Sequence, residues 1–186
     1  RKHPILTVDA TGYKDDSSTV TGLSGALAIK RRLERHGVPV RDVYLPPEGA
    51  VHLAVMSVDY GGQEVAKKVL QVLTSRRALL SKIFLVDTDT DVFDMGKVLH
   101  AFSTKCHPAN GIHVIQYEGR ANTLTPCYSQ VERAAQKGAT VLYDCTWPGE
   151  WSREWETPVK ATLDSIFSKE IQEKVLKNWN EYGFKR

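Results

Sequence analysis

Ile83-Phe84-Leu85-Val86-Asp87-Thr88-Asp89-Thr90-Asp91-Val92-Phe93-Asp94 begins as an unbroken apolar run, meets four carboxylates and passes into a helical pattern. Four apolar residues in a row leave no face for water, so Ile83 to Val86 reads as a central parallel strand covered on both sides. Acids delivered to the carboxyl end of such a strand either cap the next helix or build a ligand site. The rest of the chain has to decide between the two.

Working outward, Met95, Val98, Leu99 and Phe102 recur at i, i+3, i+4 and i+7 and predict a helix directly after the acids. Before the strand, Val65, Val69, Val72 and Leu73 mark another helix, opened by Gly61-Gly62 and ending near Arg76-Arg77, where cations suit a helix carboxyl terminus. From Thr19 to His36, the pairs Leu23/Leu27 and Ile29/Leu33 predict a helix stopped by Gly37. Further strands are predicted at Pro4 to Val8, Val40 to Leu45, His52 to Val58, Ile112 to Gln116 and Thr140 to Tyr143. Ile171, Val175 and Trp179 line a closing carboxyl-terminal helix. Strands alternating with helices define an α/β fold, a single domain whose mixed or largely parallel sheet is flanked by helices.

The chain has 186 residues, 41% of them hydrophobic and 25% charged, enough for one well-buried core. Its net charge of +3 is spread over helices that also carry acids, which argues against a nucleic-acid partner. No apolar run approaches the ~20 residues that cross a bilayer, so no membrane association is expected. Cys106, Cys127 and Cys145 are odd in number and widely spaced, fitting reduced thiols in a cytoplasmic protein.

Asp87, Asp89 and Asp91 alternate as in the first half of a calcium loop, but Val92 stands where the turn needs Gly and Val98 where a bidentate Glu is required. Capping is the expectation instead: Asp89 or Asp91 on a helix starting near Val92, with Asp94 complementing the first turn. Asp87 is the acid that capping explains least. Cys106, His107 and His113 lack paired zinc spacing, and Gly61-Gly62 lacks a phosphate-loop signature. Trp147, Trp151 and Trp155 form an aromatic cluster expected at an interface, in a pocket wall or against another part of the chain.

Four segments in order carry a family resemblance: Ile83 to Asp94, Val98 to Pro108 with its Thr-Lys-Cys-His-Pro ending, Arg120 to Pro126, and Lys174 to Lys185. Together they resemble the carboxyl-terminal region of UbiD-type decarboxylases, in the branch of ferulic acid and hydroxybenzoate decarboxylases. Asp144 to Trp155 is similar to a stretch of the polyprenyl-hydroxybenzoate members. The resemblance spans nearly the whole chain.

It implies a reversible, nonoxidative carboxy-lyase that uses prenylated FMN, with manganese and potassium assisting phosphate binding. The family's Glu-Arg-Glu proton-transfer set and its metal and flavin-phosphate ligands lie upstream of the matched region. Residues 1–186 are therefore expected to be a carboxyl-terminal domain, inactive alone, that joins an upstream catalytic domain or subunit in a homo-oligomer. No catalytic residue is carried onto this chain. The family's substrate-lining positions fall on Asn122 and Leu124, and Arg76 or Arg77 takes the place of a lysine near the cofactor. Asn122 replaces an aromatic wall with an amide, which favours a hydroxylated benzoate, such as a catechol or gallate-like acid. The alternatives are a cinnamic or ferulic-type acid and a noncatalytic subunit of a decarboxylase complex.

Overall fold

The computed structural model describes residues 16–148, 151, 158 and 162–183. Five strands, β1 (Val40–Tyr44), β2 (Leu53–Val58), β3 (Lys82–Asp87), β4 (Ile112–Tyr117) and β5 (Gly138–Cys145), form one mixed sheet in the order β1-β2-β3-β5-β4. The apolar run is therefore the central strand, parallel to β2 on one side and β5 on the other. β1 and β4 close the two edges antiparallel. The strand predicted at Pro4 to Val8 lies outside the described residues.

The pleat of β3 explains its composition. Ile83 and Leu85 point into a cluster with Ala54, Met56 and Leu142, while Val86 joins Val55 and Cys145 on the opposite face. Both clusters are closed to water, with Ile83, Leu85 and Val86 each 0% exposed. Each such side chain contributes about 1.5–3 kcal/mol through burial.

Helices α1 (Asp16–Arg35) and α2 (Gln63–Thr74) bring Leu33, Val65, Val69 and Leu73 to the first face, and α3 (Met95–Lys105) brings Val98 and Ala101 to the second. Gly37 ends α1 as expected: at φ 69° its N–H donates to Glu34 O (2.9 Å), and Val38 N–H donates to Leu33 O (3.1 Å). That is the reciprocal pattern of a left-handed helix stop.

Two helix faces differ from the periodic reading. In α1, Leu23 and Leu27 are 78% and 52% exposed, and the helix instead lays Gly22 and Gly25 against Leu45. A side chain at Gly22 would stand 3.0 Å from Leu45 O, so close backbone approach selects the glycine face over the leucine face. In α3, Leu99 is 61% exposed while Val98 and Ala101 are buried. α2 ends at Thr74, so Arg76 and Arg77 belong to the following loop and not to the last helical turn.

A short helix, α4 (Gln130–Ala134), precedes β5. Ser129 and Glu132 hold its start in a reciprocal capping box. Contacts divide the chain into two compact units, 1–149 and 150–186. The second contains α5 (Leu163–Ile166) and the expected closing helix, α6 (Lys169–Lys177). Within that unit Val175 and Trp179 are half-buried, and Ile171 is 46% exposed. Among the described residues, no helix is long and apolar enough to cross a membrane.

Candidate functional site

The acidic strand end divides its carboxylates among three tasks. Asp94 is the N-cap of α3, accepting from Gly96 N–H at 3.0 Å and Lys97 N–H at 3.2 Å. The expectation that Asp89 or Asp91 caps a helix beginning near Val92 is corrected, because the helix begins three residues later, at Met95. Asp91 closes a local turn by accepting from Phe93 N–H at 3.0 Å. Asp87 and Asp89 turn to Lys105 at the far end of α3, whose Nζ donates to Asp87 Oδ2 at 2.8 Å and to Asp89 Oδ1 at 3.1 Å.

Lys105 is 7% exposed on its side chain, so both carboxylates are needed to offset its desolvation. Trp147 completes the arrangement: its backbone N–H donates to Asp87 Oδ2 at 3.2 Å, and its ring lies 5.3 Å from Lys105 Nζ. Trp147 thus packs on its own chain, one of the outcomes expected for the aromatic cluster. Trp151 is 39% exposed, and Trp155 lies outside the described residues.

The same end of the sheet holds Asp144, whose Oδ1 accepts from Thr146 N–H at 3.1 Å and Thr146 Oγ1 at 2.6 Å. Burial pushes the Asp144 carboxyl above its ordinary range, with Asp87 adding to the rise and the Thr146 bonds and His113 opposing it. Thr146 Oγ1 also accepts from Gly62 N–H at 3.2 Å, the amide a phosphate approaching Gly61-Gly62 would need. A side chain at Gly61 would overlap Thr146, so that glycine is a packing requirement. Among the described residues, no group of three or more His, Cys, Asp or Glu is arranged to hold a metal ion.

The opposite, amino end of the parallel strands gathers the residues singled out for binding. Arg76 and Arg77 lie in the loop from α2 to β3, and Asn122 and Leu124 in the loop from β4 to α4. A parallel bridge between Ala78 and Ala121 joins the two loops, with Ala78 N–H donating to Arg120 O at 2.9 Å. Arg120 also donates from its guanidinium to Thr74 O at 3.1 Å.

Asn122 is 6% exposed, and its Oδ1 accepts from Leu124 N–H at 3.1 Å. Only the oxygen of the amide can take that bond, and its NH2 is a donor. Leu124 is 73% exposed. Arg76 and Arg77 are exposed, and Arg32 reaches the same loop through Ser75 Oγ at 3.0 Å. Burial holds the Arg32 guanidinium below its ordinary pKa, and the positive charge of Arg76 lowers it further.

Behind this surface the loops are fixed by polar bonds. Thr140 Oγ1 donates to Leu80 O at 2.7 Å and meets Tyr117 Oη at 3.0 Å. Burial pushes the Tyr117 phenol up to about 12. Beside it opens a cleft of about 690 Å³ lined by Tyr117, Arg120, Tyr128, Glu132 and Lys137. Periodicity gave no sign of Lys105, Thr146 or this cleft, since their partners are distant in sequence. The Ser-x-x-Glu of residues 129–132 was the one readable trace of α4.

Comparison with known proteins matches this architecture. The UbiD-class enzyme HmfF from Pelotomaculum thermopropionicum in complex with FMN superposes with a TM-score of 0.65 at 20% identity, covering 81% of this chain and 33% of its own. The 3,4-dihydroxybenzoic acid decarboxylase of Enterobacter cloacae gives 0.62 at 23%, covering 78% and 31%. The vanillic acid decarboxylase of Sedimentibacter hydroxybenzoicus in closed form gives 0.65 at 19%, covering 88% and 33%. The chain thus spans about a third of the length of the solved structures it resembles. Residues 18–145, more than half of the chain, match the family described as 3-octaprenyl-4-hydroxybenzoate carboxy-lyase C-terminal domain, and the chain belongs to that UbiD carboxyl-terminal family.

Proposed function

We propose that the chain is the carboxyl-terminal part of a nonoxidative, reversible aromatic acid decarboxylase, and that the amino end of its sheet faces the bound substrate and cofactor. The observation that carries this reading is the Ala78–Ala121 bridge, which couples the loop of Arg76 and Arg77 to the loop of Asn122 and Leu124. Two loops fixed to each other can hold an anion and an aromatic ring at a set spacing.

The reaction breaks the bond between the ring carbon and its carboxylate, releases carbon dioxide and places a proton on that carbon. Prenylated FMN, when bound, supplies the electron sink for the carbanion equivalent. The residues present fit an anionic cofactor or substrate group, because Arg76 and Arg32 sit close enough to oppose each other's charge and an anion between or beside them relieves that opposition. Arg76 and Arg77 thus bind the cofactor side, as planar fork donors. Leu124 offers an apolar wall, and Asn122 offers its NH2 end to an oxygen on the ring. That donor favours a hydroxylated benzoate over a cinnamic-type acid. Manganese, potassium and the proton-transfer groups are assigned to the upstream portion.

An apolar stripe on α1, Val20, Leu23 and Leu27 at 70%, 78% and 52% exposure, is the surface we assign to that upstream portion. The matched segment fills only about a third of each solved structure, so a large partner surface is available in the whole enzyme. Homo-oligomer formation belongs to the same reading.

The test is carbon dioxide release by the whole protein with reconstituted cofactor, across hydroxybenzoates, hydroxycinnamates and cinnamate. Turnover of 3,4-dihydroxylated or trihydroxylated benzoates supports the assignment. Turnover of cinnamate alone overturns the reading of Asn122, and absence of both flavin binding and turnover makes the protein a noncatalytic subunit.

A further inference from the structure

Two of the three cysteines meet where α3 leaves the sheet. Phe102 packs edge-on against Tyr143, ring centroids 5.2 Å apart, which fixes the register between α3 and β5. Cys106 follows Phe102 by four residues and Cys145 follows Tyr143 by two, so each lies one step further along the same helix and strand faces. The backbone draws the two steps together. Cys106 Sγ lies 3.5 Å from Gly111 O, and that carbonyl accepts Asp144 N–H at 2.7 Å, the residue just before Cys145.

Both side chains belong to one apolar cluster, Cys145 buried and Cys106 partly so, and each thiol perturbs the ionisation of the other. Cys127 is exposed and stands outside this cluster. We propose that Cys106 and Cys145 are a redox pair that closes to a reversible intrachain disulfide, fastening the end of α3 to the end of β5.

The oxidant class is a low-molecular-weight disulfide, with oxidised glutathione as the probe. Cys106, the more accessible thiol, loses its proton and attacks one glutathione sulfur, releasing a first glutathione thiolate. Cys145 then loses its proton and attacks Cys106 Sγ, forming the protein S–S bond and releasing a second. Two protein S–H bonds are lost, the glutathione S–S bond is reduced by two electrons, and the two protons go to the released thiolates. Burial raises both thiols above their ordinary pKa, so the reduced pair is protonated at neutral pH and closes faster as pH rises. Closure fixes Cys106 immediately beyond Lys105, the residue that holds Asp87 and Asp89.

The sequence separates the three cysteines among different tryptic peptides, residues 106–120, 121–133 and 138–153. Peptide mapping of the whole protein after oxidised glutathione should show 106–120 joined to 138–153 in more than half of the molecules. The join should be reversed by dithiothreitol, with glutathione retained only on Cys127. In Cys106→Ser, Cys145 should remain reduced, since its attacking partner is gone and it is buried. A lasting glutathione adduct on Cys106 without the joined peptides, or no reaction of Cys106 while Cys127 is modified, overturns the proposal.

Discussion

At the carboxyl end of the sheet, Lys105 is 7% exposed and bonds two carboxylates, and Asp144 is closed over by Thr146. At the amino end, Arg76 and Arg77 stand exposed beside a loop whose Leu124 is 73% exposed. The first end uses its charges within the chain and the second presents them outward. In open α/β sheets ligands usually occupy the carboxyl end, and the acids of β3 invite that reading here. The pairing with Lys105, the cap at Asp94 and the bond from Gly62 N–H to Thr146 Oγ1 show those groups to be committed to the fold. A cluster of acids is a site only when its partners come from outside.

The contrast can be broken most forcefully at the amino end. In the whole protein, Arg76→Ala with Arg77→Ala should lower turnover or cofactor retention by about 10- to 100-fold, the loss of one or two hydrogen bonds to a charged group. Thermal unfolding should barely move, because both side chains are exposed. Equal activity in the double variant would remove the amino end from the account.

Lys105→Ala should do the reverse. It leaves Asp87 and Asp89 without their cation and costs about 2 kcal/mol, less than full burial would give because the Asp89 side chain is 43% exposed. Denaturant melts should record that loss while turnover per folded molecule stays unchanged. A smaller effect is expected from Asp94→Ala, which removes a helix cap and costs about 1 kcal/mol.

Asp144→Asn has the smallest effect and a sign that depends on pH. The folded pKa of Asp144 lies above its ordinary 3.8, so ionising it costs the folded state. That cost is absent below about 3.8, grows as pH rises toward the raised value and is complete above it. Asn keeps an acceptor for Thr146, so the variant should gain on the wild type as pH rises above about 3.8. Urea melts across that range check it, and a variant losing ground with rising pH would contradict the assigned burial.

Much of this fold was legible because burial leaves periodic traces. Ile83 to Val86 could only be a central strand, and Gly37 could only follow a helix that ends in a left-handed turn. The cap was less legible. Asp-Thr-Asp-Thr-Asp offers several equivalent starts, and what singles out Asp94 is that Lys105, 16 residues beyond Asp89, claims Asp87 and Asp89 while Asp91 closes a turn on Phe93. The buried face of α1 was misread for a related reason: leucines signal a core, but Gly22 and Gly25 allow the closer approach to Leu45. Arg76, Arg77, Asn122 and Leu124 came from family resemblance alone, since an exposed loop carries no period. The bridge from Ala78 to Ala121, formed in the folded chain, brings the two loops together.

Hydrogen exchange on the whole protein with reconstituted cofactor, with and without 3,4-dihydroxybenzoate, tests the division between the two ends most directly. Ligand binding should slow exchange in the loops 75–81 and 118–129 and leave 87–94 and 105–111 unchanged. Protection confined to 87–94 and 105–111, with the amino-end loops unchanged, would place the ligand at the acidic end and contradict it.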